Sequence, residues 1–442
     1  MGSDREGRDI RFALTGDSLI TRRLRPYEET AYHQLWSLIR QADASFTNLE
    51  GLLTRYEGYP APVSGGTYVV GDPVIADDLR WAGFQVLSRA NNHSLDWGIG
   101  GLLTTSDHLD AHGFCHAGVG KNRAFARSPG YLDTGAGRVA LISAASSFPP
   151  GGEAGKQRDD LPGRPGLNPL RYQTWHEVDE GRFQMLGELA QELGLLEQEK
   201  ERRQFLDAHS VQEVIRFAGA VFCPSPDGEC RVRMKVNEED QAANLAAIEG
   251  AARQADWVLF SLHSHESHPI DRSAPAPFIE SFARRAIEAG ADIVVLHGPH
   301  VLRGIEVYRG RPIFYSLGNF IFQNETVQWL PQEIYDQYDL PITARPDEVF
   351  DQRTQNDTRG FPARAAYWQT VLAEVTFQEK RLQEIDLYPV TLGPNRGRTR
   401  RGRPMLADPE EGSAIIADLQ RLCQRYGTVI KWSDGRGQVK LC

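Results

Sequence analysis

The sequence of 442 residues has few cysteines, and they follow no recognisable pattern. Its five cysteines are scattered without a Cys-x-x-Cys pair, which argues against both a disulfide framework and a thiolate zinc site. Cys223 and Cys230 flank a short polar turn and are near enough in sequence to touch across it. We nevertheless predict free thiols at all of these positions.

Long apolar runs and an excess of positive charge are also missing. No segment approaches the roughly 18 apolar residues that a membrane-spanning helix needs, so no membrane span is predicted. The polar start of the chain lacks the apolar region of a signal peptide, which favours a cytoplasmic protein. A formal net charge of −10 disfavours nucleic acid as a partner. The oligomeric state is left open by these properties.

What is present is the composition of an ordinary globular protein, with 40% hydrophobic and 24% charged residues. The length fits two or three compact units, or one large α/β domain with additions. The stretch from Pro149 to Leu170 is rich in Gly and Pro and predicts an irregular insertion, with a lid as one role for it. Asp179 to Leu206 has the apolar spacing of one long helix.

The most informative stretch begins with the short β-branched run Ile293 to Leu296, which predicts a buried strand. It ends in His297-Gly-Pro-His300, and a tight Gly-Pro turn lets two imidazoles converge on one metal ion. The alternative is that both are loop histidines that hydrogen-bond to backbone carbonyl groups. The pair by itself does not decide between these interpretations.

Polar residues follow three further predicted strands. Asp17 comes after the run Ile10 to Leu14, and a carboxylate at the end of a strand lies where open α/β sheets gather ligands. The alternative for Asp17 is a turn or a helix cap, because a Gly-Asp sequence is also typical of both. Glu50 ends a second such strand. His263 and then His265 follow a third strand, and His263 is the better ligand candidate because it is nearer to the strand end.

The sequence Asn-Asn-His before a glycine is chemically unusual. The Asn92 amide and the His93 imidazole together supply a neutral metal ligand and a proton donor. The alternative is a polar turn in which Asp96 caps the following helix.

The last third of the chain is less regular. Gln323 to Arg364 is polar and rich in Asp and Pro, which predicts an extended active-site loop or a poorly ordered crossing. Thr370 to Phe377 and Leu382 to Leu392 alternate as in a hairpin. Arg396 to Arg403 is a basic run, interpreted as a solvated loop or as an anion-binding contact.

Together these motifs resemble the CapA family of poly-γ-glutamate capsule proteins, which is similar to the calcineurin-like metallophosphoesterases. The resemblance covers about residues 10–325. It rests on the ordered motifs Thr-Gly-Asp17, Asn-Leu-Glu50, Ala-Asn-Asn-His93-x-x-Asp96-x-Gly98, His263 after a buried strand, and His297-Gly-Pro-His300 followed by Arg-Pro-Ile-Phe-Tyr-Ser-Leu-Gly-Asn-Phe.

The resemblance implies an α/β fold, a calcineurin-like four-layer sandwich of two mixed β-sheets flanked by helices. It also implies one or two divalent transition-metal ions, Mn, Zn or Fe, at the strand ends. The residues that match the metal-binding positions are Asp17, Glu50, Asn92, His263, His297 and His300. His93, Asn92 and Asp96 are the implied catalytic residues, and His265, Arg164 and Asn319 are candidates for substrate binding.

Two positions depart from the metallophosphoesterase pattern. Leu19 stands where those enzymes usually have a histidine, and Glu50 stands where their bridging residue is normally an aspartate. Loss of one imidazole weakens one of two metal sites, so we expect a second ion to be held loosely.

The expected function is that of a metal-dependent enzyme, a hydrolase or an acyl transferase, acting on a γ-glutamyl-type amide or a phosphoester. The substrate would be a small molecule or a glutamate polymer. The alternative is a non-catalytic, metal-binding accessory protein in poly-γ-glutamate synthesis or export. Residues 1–330 are expected to form the CapA-like domain, with an insertion at about 149–235, and residues 331–442 to complete or cap the sheet.

Overall fold

The computed structural model describes residues 9–206 and 214–441 and is built on two mixed β-sheets that pack face to face. Along the first strand, Phe12 and Leu14 point into the core between the sheets, whereas Ala13 points to the opposite face. Helices cover both outer faces and form two further apolar layers. The predicted four-layer α/β sandwich is confirmed.

The larger sheet has the strand that carries Asp17 near its centre. Its main path has eight strands, in the spatial order Ile430–Ser433, Arg436–Val439, Arg381–Thr391, Gln369–Gln378, Ile10–Leu19, Ala44–Leu49, Val86–Ser88 and Cys115–Ala117. Two more strands join it, namely Asn319–Phe322 beside the first strand and Met405–Leu406 beside Arg381–Thr391.

The smaller sheet carries the two histidine-bearing strands side by side. Its order is Ile305–Tyr308, Arg311–Phe314, Ile293–His297, Trp257–His263, Gly137–Ala145 and Gly130–Thr134. The inner four strands are parallel, and the two outermost strands are antiparallel to their neighbours. The parallel strands therefore end at one edge, where their terminal side chains meet.

The α-helices of the described residues cover the sheets and connect their strands. They are Thr30–Gln41, Ile75–Ala82, Gly98–Ala111, Arg123–Arg127, Glu180–Glu192, Leu195–Leu206, Glu238–Ala252, Pro277–Glu288, Gln332–Gln337, Pro346–Thr354 and Pro409–Cys423. None of them is long and apolar enough to cross a membrane.

The region predicted to be an insertion contains a small sheet of its own. Its four strands, in spatial order, are Ile215–Phe217, Ala220–Pro224, Tyr172–Val178 and Arg231–Val236. The prediction of one long helix in this region is wrong. Gly194 has a φ of 72° and ends the first helix, because left-handed backbone cannot continue an α-helix.

The C-terminal part joins the larger sheet through the predicted hairpin, Gln369–Gln378 and Arg381–Thr391. The polar stretch before it contains the short helices Gln332–Gln337 and Pro346–Thr354, so it is more regular than predicted. The division of the chain at about residue 330 stays a prediction.

Two-residue strand pairs complete the fold, Leu52–Leu53 with Val70–Gly71 and Val119–Gly120 with Gly166–Leu167.

The basic run is not a solvated loop throughout. Arg401 and Arg403 are buried, and each pairs with carboxylates from distant parts of the chain. Arg401 binds Glu325 and Asp357, while Arg403 binds Glu29. A buried guanidinium group needs paired acceptors, and here other segments of the chain supply them. These arginines therefore stabilise the contacts between those segments.

The described cysteines are all free, as predicted. Cys442 lies outside the described residues.

Candidate metal centre

Asp17 lies between two asparagines on the neighbouring parallel strands. Strand pairing places it opposite Asn48 on one side and Asn319 on the other. Its Oδ1 accepts a hydrogen bond from Asn48 Nδ2 at 2.8 Å, and its Oδ2 accepts one from the Gly298 backbone N–H at 3.0 Å. Burial opposes its ionisation, but the facing histidines, His300 first, outweigh burial and hold the pKa of Asp17 well below its usual range.

His263 and His297 are direct partners across two parallel strands, so their imidazoles meet at the edge of the sheet. Their Nδ1 atoms lie 3.0 Å apart, and His297 Nδ1 lies 3.6 Å from Asp17 Oδ1. His297 Nε2 pairs with Ser261 Oγ at 2.6 Å, which directs Nδ1 toward Asp17. Burial lowers the pKa of His297 to about 4 and that of His263 well below its ordinary value, so both are neutral at pH 7, as metal ligands must be.

The turn Gly298-Pro299-His300 brings a third imidazole to the cluster. Gly298 has a φ of 116°, and a Cβ atom there would lie 3.0 Å from the Ser264 backbone. His300 Nδ1 donates to Asn319 Oδ1 at 2.9 Å, because the Asn319 amide nitrogen already donates to backbone carbonyl groups. The free Nε2 of His300 then lies 3.8 Å from Glu50 Oε1.

Glu50 is fully buried, and neither of its carboxylate oxygens has a hydrogen-bond partner among the described residues. Nitrogen atoms of His93, His263 and His300 lie 3.8–3.9 Å from Oε1. Burial raises the pKa of Glu50 well above its ordinary value, and the negative charge of Asp17 raises it further. A buried carboxyl group in such surroundings ionises only beside a cation, so the donor set fits a metal.

Asn92 and His93 lie on the loop after the strand Val86–Ser88. The Oδ1 atom of Asn92 is buried and has no partner in the part of the chain that the structure describes, while its amide nitrogen donates to the Gly65 carbonyl at 3.3 Å. His93 Nδ1 donates to Asp96 Oδ2 at 2.7 Å. Asp96 also accepts the Val69 backbone N–H at 2.7 Å, so it fixes His93 and does not cap the following helix through its side chain.

His265, a predicted substrate contact, lies against the side chains that could hold a metal. These side chains, the metal-type cluster, are Asp17, Glu50, His263, His297 and His300. The Nε2 atom of His265 is 3.1 Å from Nε2 of His263, and burial lowers the pKa of His265 to about 3. Three overlapping groups of side chains have the spacing of metal ligands: Asp17 with His263 and His297; Glu50 with His263 and His265; and Asp17 with Glu50 and His300. The donors are imidazoles and carboxylates, a set suited to zinc, iron or manganese.

The structure brings all but one of the sequence-predicted site residues together. Arg164 is the exception, because it is exposed, donates to the Glu153 carbonyl at 2.9 Å and does not line the cavity beside the cluster. Asn319 supports His300 through hydrogen bonds and is itself fully buried.

Sequence reasoning missed two residues that orient the cluster, Asn48 and Ser261. Each precedes a predicted ligand, Glu50 or His263, by two positions along a strand. Side chains two residues apart on a strand share a face, so this spacing was the available signal.

A cavity of about 570 Å³ opens beside the cluster. His93, His265 and His300 form part of its wall, and Phe361 and Tyr367 from the stretch before the C-terminal hairpin form another part. A small molecule or the end of a longer chain can therefore reach the imidazole side of the cluster.

Fold and site together define a four-layer α/β protein with a buried cluster of histidines and carboxylates at its strand ends. Residues 11–324 match the family model described as bacterial capsule synthesis protein PGA_cap. The chain belongs to this family, in which the resemblance to CapA had placed it.

Two related proteins and one solved structure are also similar to the chain. The uncharacterized protein y4sH of Sinorhizobium fredii is 35% identical over 96% of this chain and 92% of its own length. The capsule biosynthesis protein CapA of Bacillus anthracis is 25% identical over 64% of this chain and 56% of its own length. A hypothetical protein from Thermus thermophilus aligns over 86% of this chain and 98% of its own, with 12% identity and a TM-score of 0.38.

Proposed function

We propose that the protein is a metal-dependent enzyme of the CapA family that hydrolyses or transfers a γ-glutamyl-type amide or a phosphoester. The observation that carries the proposal is the Glu50 carboxylate. It is buried beside an open cavity, lies close to three histidines and has no hydrogen-bond partner within residues 9–206 and 214–441. The name of the Bacillus relative supports a role in capsule synthesis.

The residues that would hold the metal, one ion or two, are Asp17, Glu50, Asn92, His263, His297 and His300, joined by His265. When bound, a divalent transition metal activates water as a nucleophile and polarises an acyl or phosphoryl oxygen.

The protein's own contribution to proton transfer is the pair of His93 and Asp96. Asp96 accepts the Nδ1 proton of His93, which leaves the lone pair of Nε2 on the side of Glu50 and the cavity. From that position Nε2 can take up the proton released by the attacking nucleophile and then pass it to a leaving amine or alkoxide group. Phe361 and Tyr367 contribute aromatic surface to the wall of the same cavity.

A second candidate function is that of a non-catalytic metal-binding accessory protein in poly-γ-glutamate synthesis or export. The position of His265 favours it, because an additional imidazole beside His263 and Glu50 can occupy a coordination position that an enzyme would leave to substrate.

The first test is elemental analysis of the purified protein and of the Asp17→Ala and His297→Ala variants. One or two equivalents of transition metal in the wild type, lost in both variants, support the metal centre. The metal-loaded protein is then assayed with phosphoesters and γ-glutamyl peptides. Turnover that disappears in His93→Ala while metal content is retained supports the enzyme, and metal without turnover supports the accessory protein. A wild type that neither contains nor binds Mn²⁺, Zn²⁺ or Fe²⁺ contradicts both.

A further inference from the structure

The cavity beside the metal-type cluster has a charge opposite to that of the whole protein. Four arginines line it, whereas no Asp or Glu of the described residues does. The arginines are Arg272, Arg303, Arg353 and Arg364. In a chain with a net charge of −10, such a wall attracts anions from solution.

Nearby acidic groups act on these arginines only at a distance: the charges of Glu266 and Asp271 raise the pKa of Arg303 without forming an ion pair with it. Within residues 9–206 and 214–441, no carboxylate forms an ion pair with any of the four. The structural arginines of the basic run are paired instead. Arg401 forms ion pairs with Glu325 and Asp357, and Arg403 forms one with Glu29. The positive charge of the cavity is therefore available to a ligand.

Arg303 is the innermost of the set, since only 3% of its surface is exposed. Its Nη1 donates to the backbone carbonyl of Glu266 at 3.0 Å, and its Nε is buried without a partner among the described residues. Burial lowers the pKa of Arg303 to about 10, so the side chain is still a cation at neutral pH. A buried cation with an unused donor is costly unless an anion reaches it.

The other arginines come from separate segments that meet at the cavity. Arg353 lies on the helix Pro346–Thr354, and its Nη1 donates to Thr67 Oγ1 at 3.0 Å, across the mouth. Arg364 follows in the next loop and is exposed. Both also line a second cavity, which adds Arg359, so the basic wall continues outward from the cluster.

We infer that Arg272, Arg303, Arg353 and Arg364 form an anion-binding subsite that takes a carboxylate or phosphate group of the substrate, next to the group that reacts at the cluster. Guanidinium groups recognise both anions through the same pairs of oxygen atoms. The inference rests on the proposed function, because it identifies the cluster as the reacting centre.

The test is calorimetric titration of the metal-loaded protein with glutarate, with its uncharged analogue glutaramide, and with inorganic phosphate. Glutarate should bind wild type more tightly than glutaramide does. Loss of a charge-assisted hydrogen bond should weaken glutarate binding by about tenfold or more in Arg364→Gln and in Arg303→Gln. In both variants the difference in affinity between glutarate and glutaramide should shrink by the same factor.

The matched control is Arg285→Gln, which removes the same charge from an exposed helical position outside the cavity. It should leave the binding of both ligands within about twofold of wild type. Arg364→Gln decides the test if Arg303→Gln does not fold, because the Arg364 side chain is exposed.

The outcomes separate the two anions and the two proposals. Arginine-dependent binding of phosphate alone supports the subsite and identifies the group as a phosphate. The subsite is overturned if both cavity variants bind glutarate and phosphate as tightly as wild type does. It is also overturned if wild type binds neither anion. Metal content, measured on the same samples, reports on the proposed function independently. A metal-free protein with arginine-dependent binding would overturn the enzyme and leave the subsite standing.

Discussion

His93 is held by Asp96: its Nδ1 lies 2.7 Å from Asp96 Oδ2, and the same carboxylate oxygen accepts a backbone N–H from Val69. The pair fixes both the tautomer and the orientation of the imidazole, so that Nε2 lies on the side of Glu50. An imidazole fixed in this way is suited to transfer protons at one chosen position.

The first prediction follows from this pair. Asp96→Asn should lower kcat by about 10²-fold or more, because the proton-transferring histidine loses its orienting carboxylate. His93→Ala should lower kcat at least as much. Metal content and melting temperature should stay close to those of the wild type in His93→Ala. Steady-state kinetics with elemental analysis measures both, and an unchanged kcat in both variants would exclude this role.

A second prediction concerns Ser261, which orients His297 and does not itself belong to the proposed ligand set. Ser261→Ala should weaken metal binding by about 10–100-fold, because His297 loses the partner of its Nε2. Competition with a chelator of known affinity measures the change. The control is Ser143→Ala, a buried serine on the adjacent strand that pairs with Ser88 at 2.7 Å and with no imidazole. Equal metal affinity in the two variants would contradict the prediction.

A third prediction concerns the tight turn before His300. Gly298→Ala should destabilise the protein and reduce its metal content, since the added Cβ would lie 3.0 Å from the Ser264 backbone. Gly310→Ala is the matched control, because Gly310 also has positive φ but, apart from its chain neighbours, no described residue has an atom within 4 Å of the added Cβ. The control should lose only the roughly 1–2 kcal/mol of left-handed backbone strain. Urea unfolding of both variants tests the difference.

A fourth prediction concerns pH. The hydrogen bond from Arg403 lowers the pKa of Glu29 to about 2 from an ordinary value of 4.5. A carboxyl group whose pKa is depressed by folding stabilises the fold fully above its unfolded pKa, and the stabilisation is lost as pH falls. Glu29→Gln should therefore lower the melting temperature at pH 7, and the difference from wild type should shrink between about pH 4.5 and pH 2.

The control for the fourth prediction is Glu28→Gln, since Glu28 is exposed and forms no ion pair within the described residues. Its melting curve should match that of the wild type throughout this range. A pH-independent difference for Glu29→Gln would mean that the carboxylate contributes through packing alone.

Local sequence was enough to locate most of the cluster, because its ligands lie at or near the ends of buried strands: His263 and His297 end theirs, and Asp17 lies two residues before the end of Ile10–Leu19. Asp17, His263 and His297 follow apolar runs, and the edge of a parallel sheet brings such positions together. The Asp96 interaction needed the structure, because Asp96 contacts both a side chain three residues away and a backbone group at Val69.

The arginines could not be interpreted from local sequence. Arg401 and Arg403 stand in a run that looks solvated. Their partners come from other segments: Glu29, the partner of Arg403, lies 374 positions away, and Glu325, a partner of Arg401, lies 76 positions away. Arg303, by contrast, belongs to no motif that the sequence singles out, although it is buried in the wall of the cavity. Pairing between distant segments decides which arginines are structural and which remain available.

The pairing of Ile10 with Phe377 has a consequence for synthesis on the ribosome. The strand that carries Asp17 emerges first, and its neighbour Ala44–Leu49 follows soon afterwards. The strand on its other flank, Gln369–Gln378, emerges only after most of the chain has been translated. We therefore expect one edge of the nascent sheet to stay open until late, as in other folds with many non-local contacts, and chaperones to have their longest opportunity to bind there.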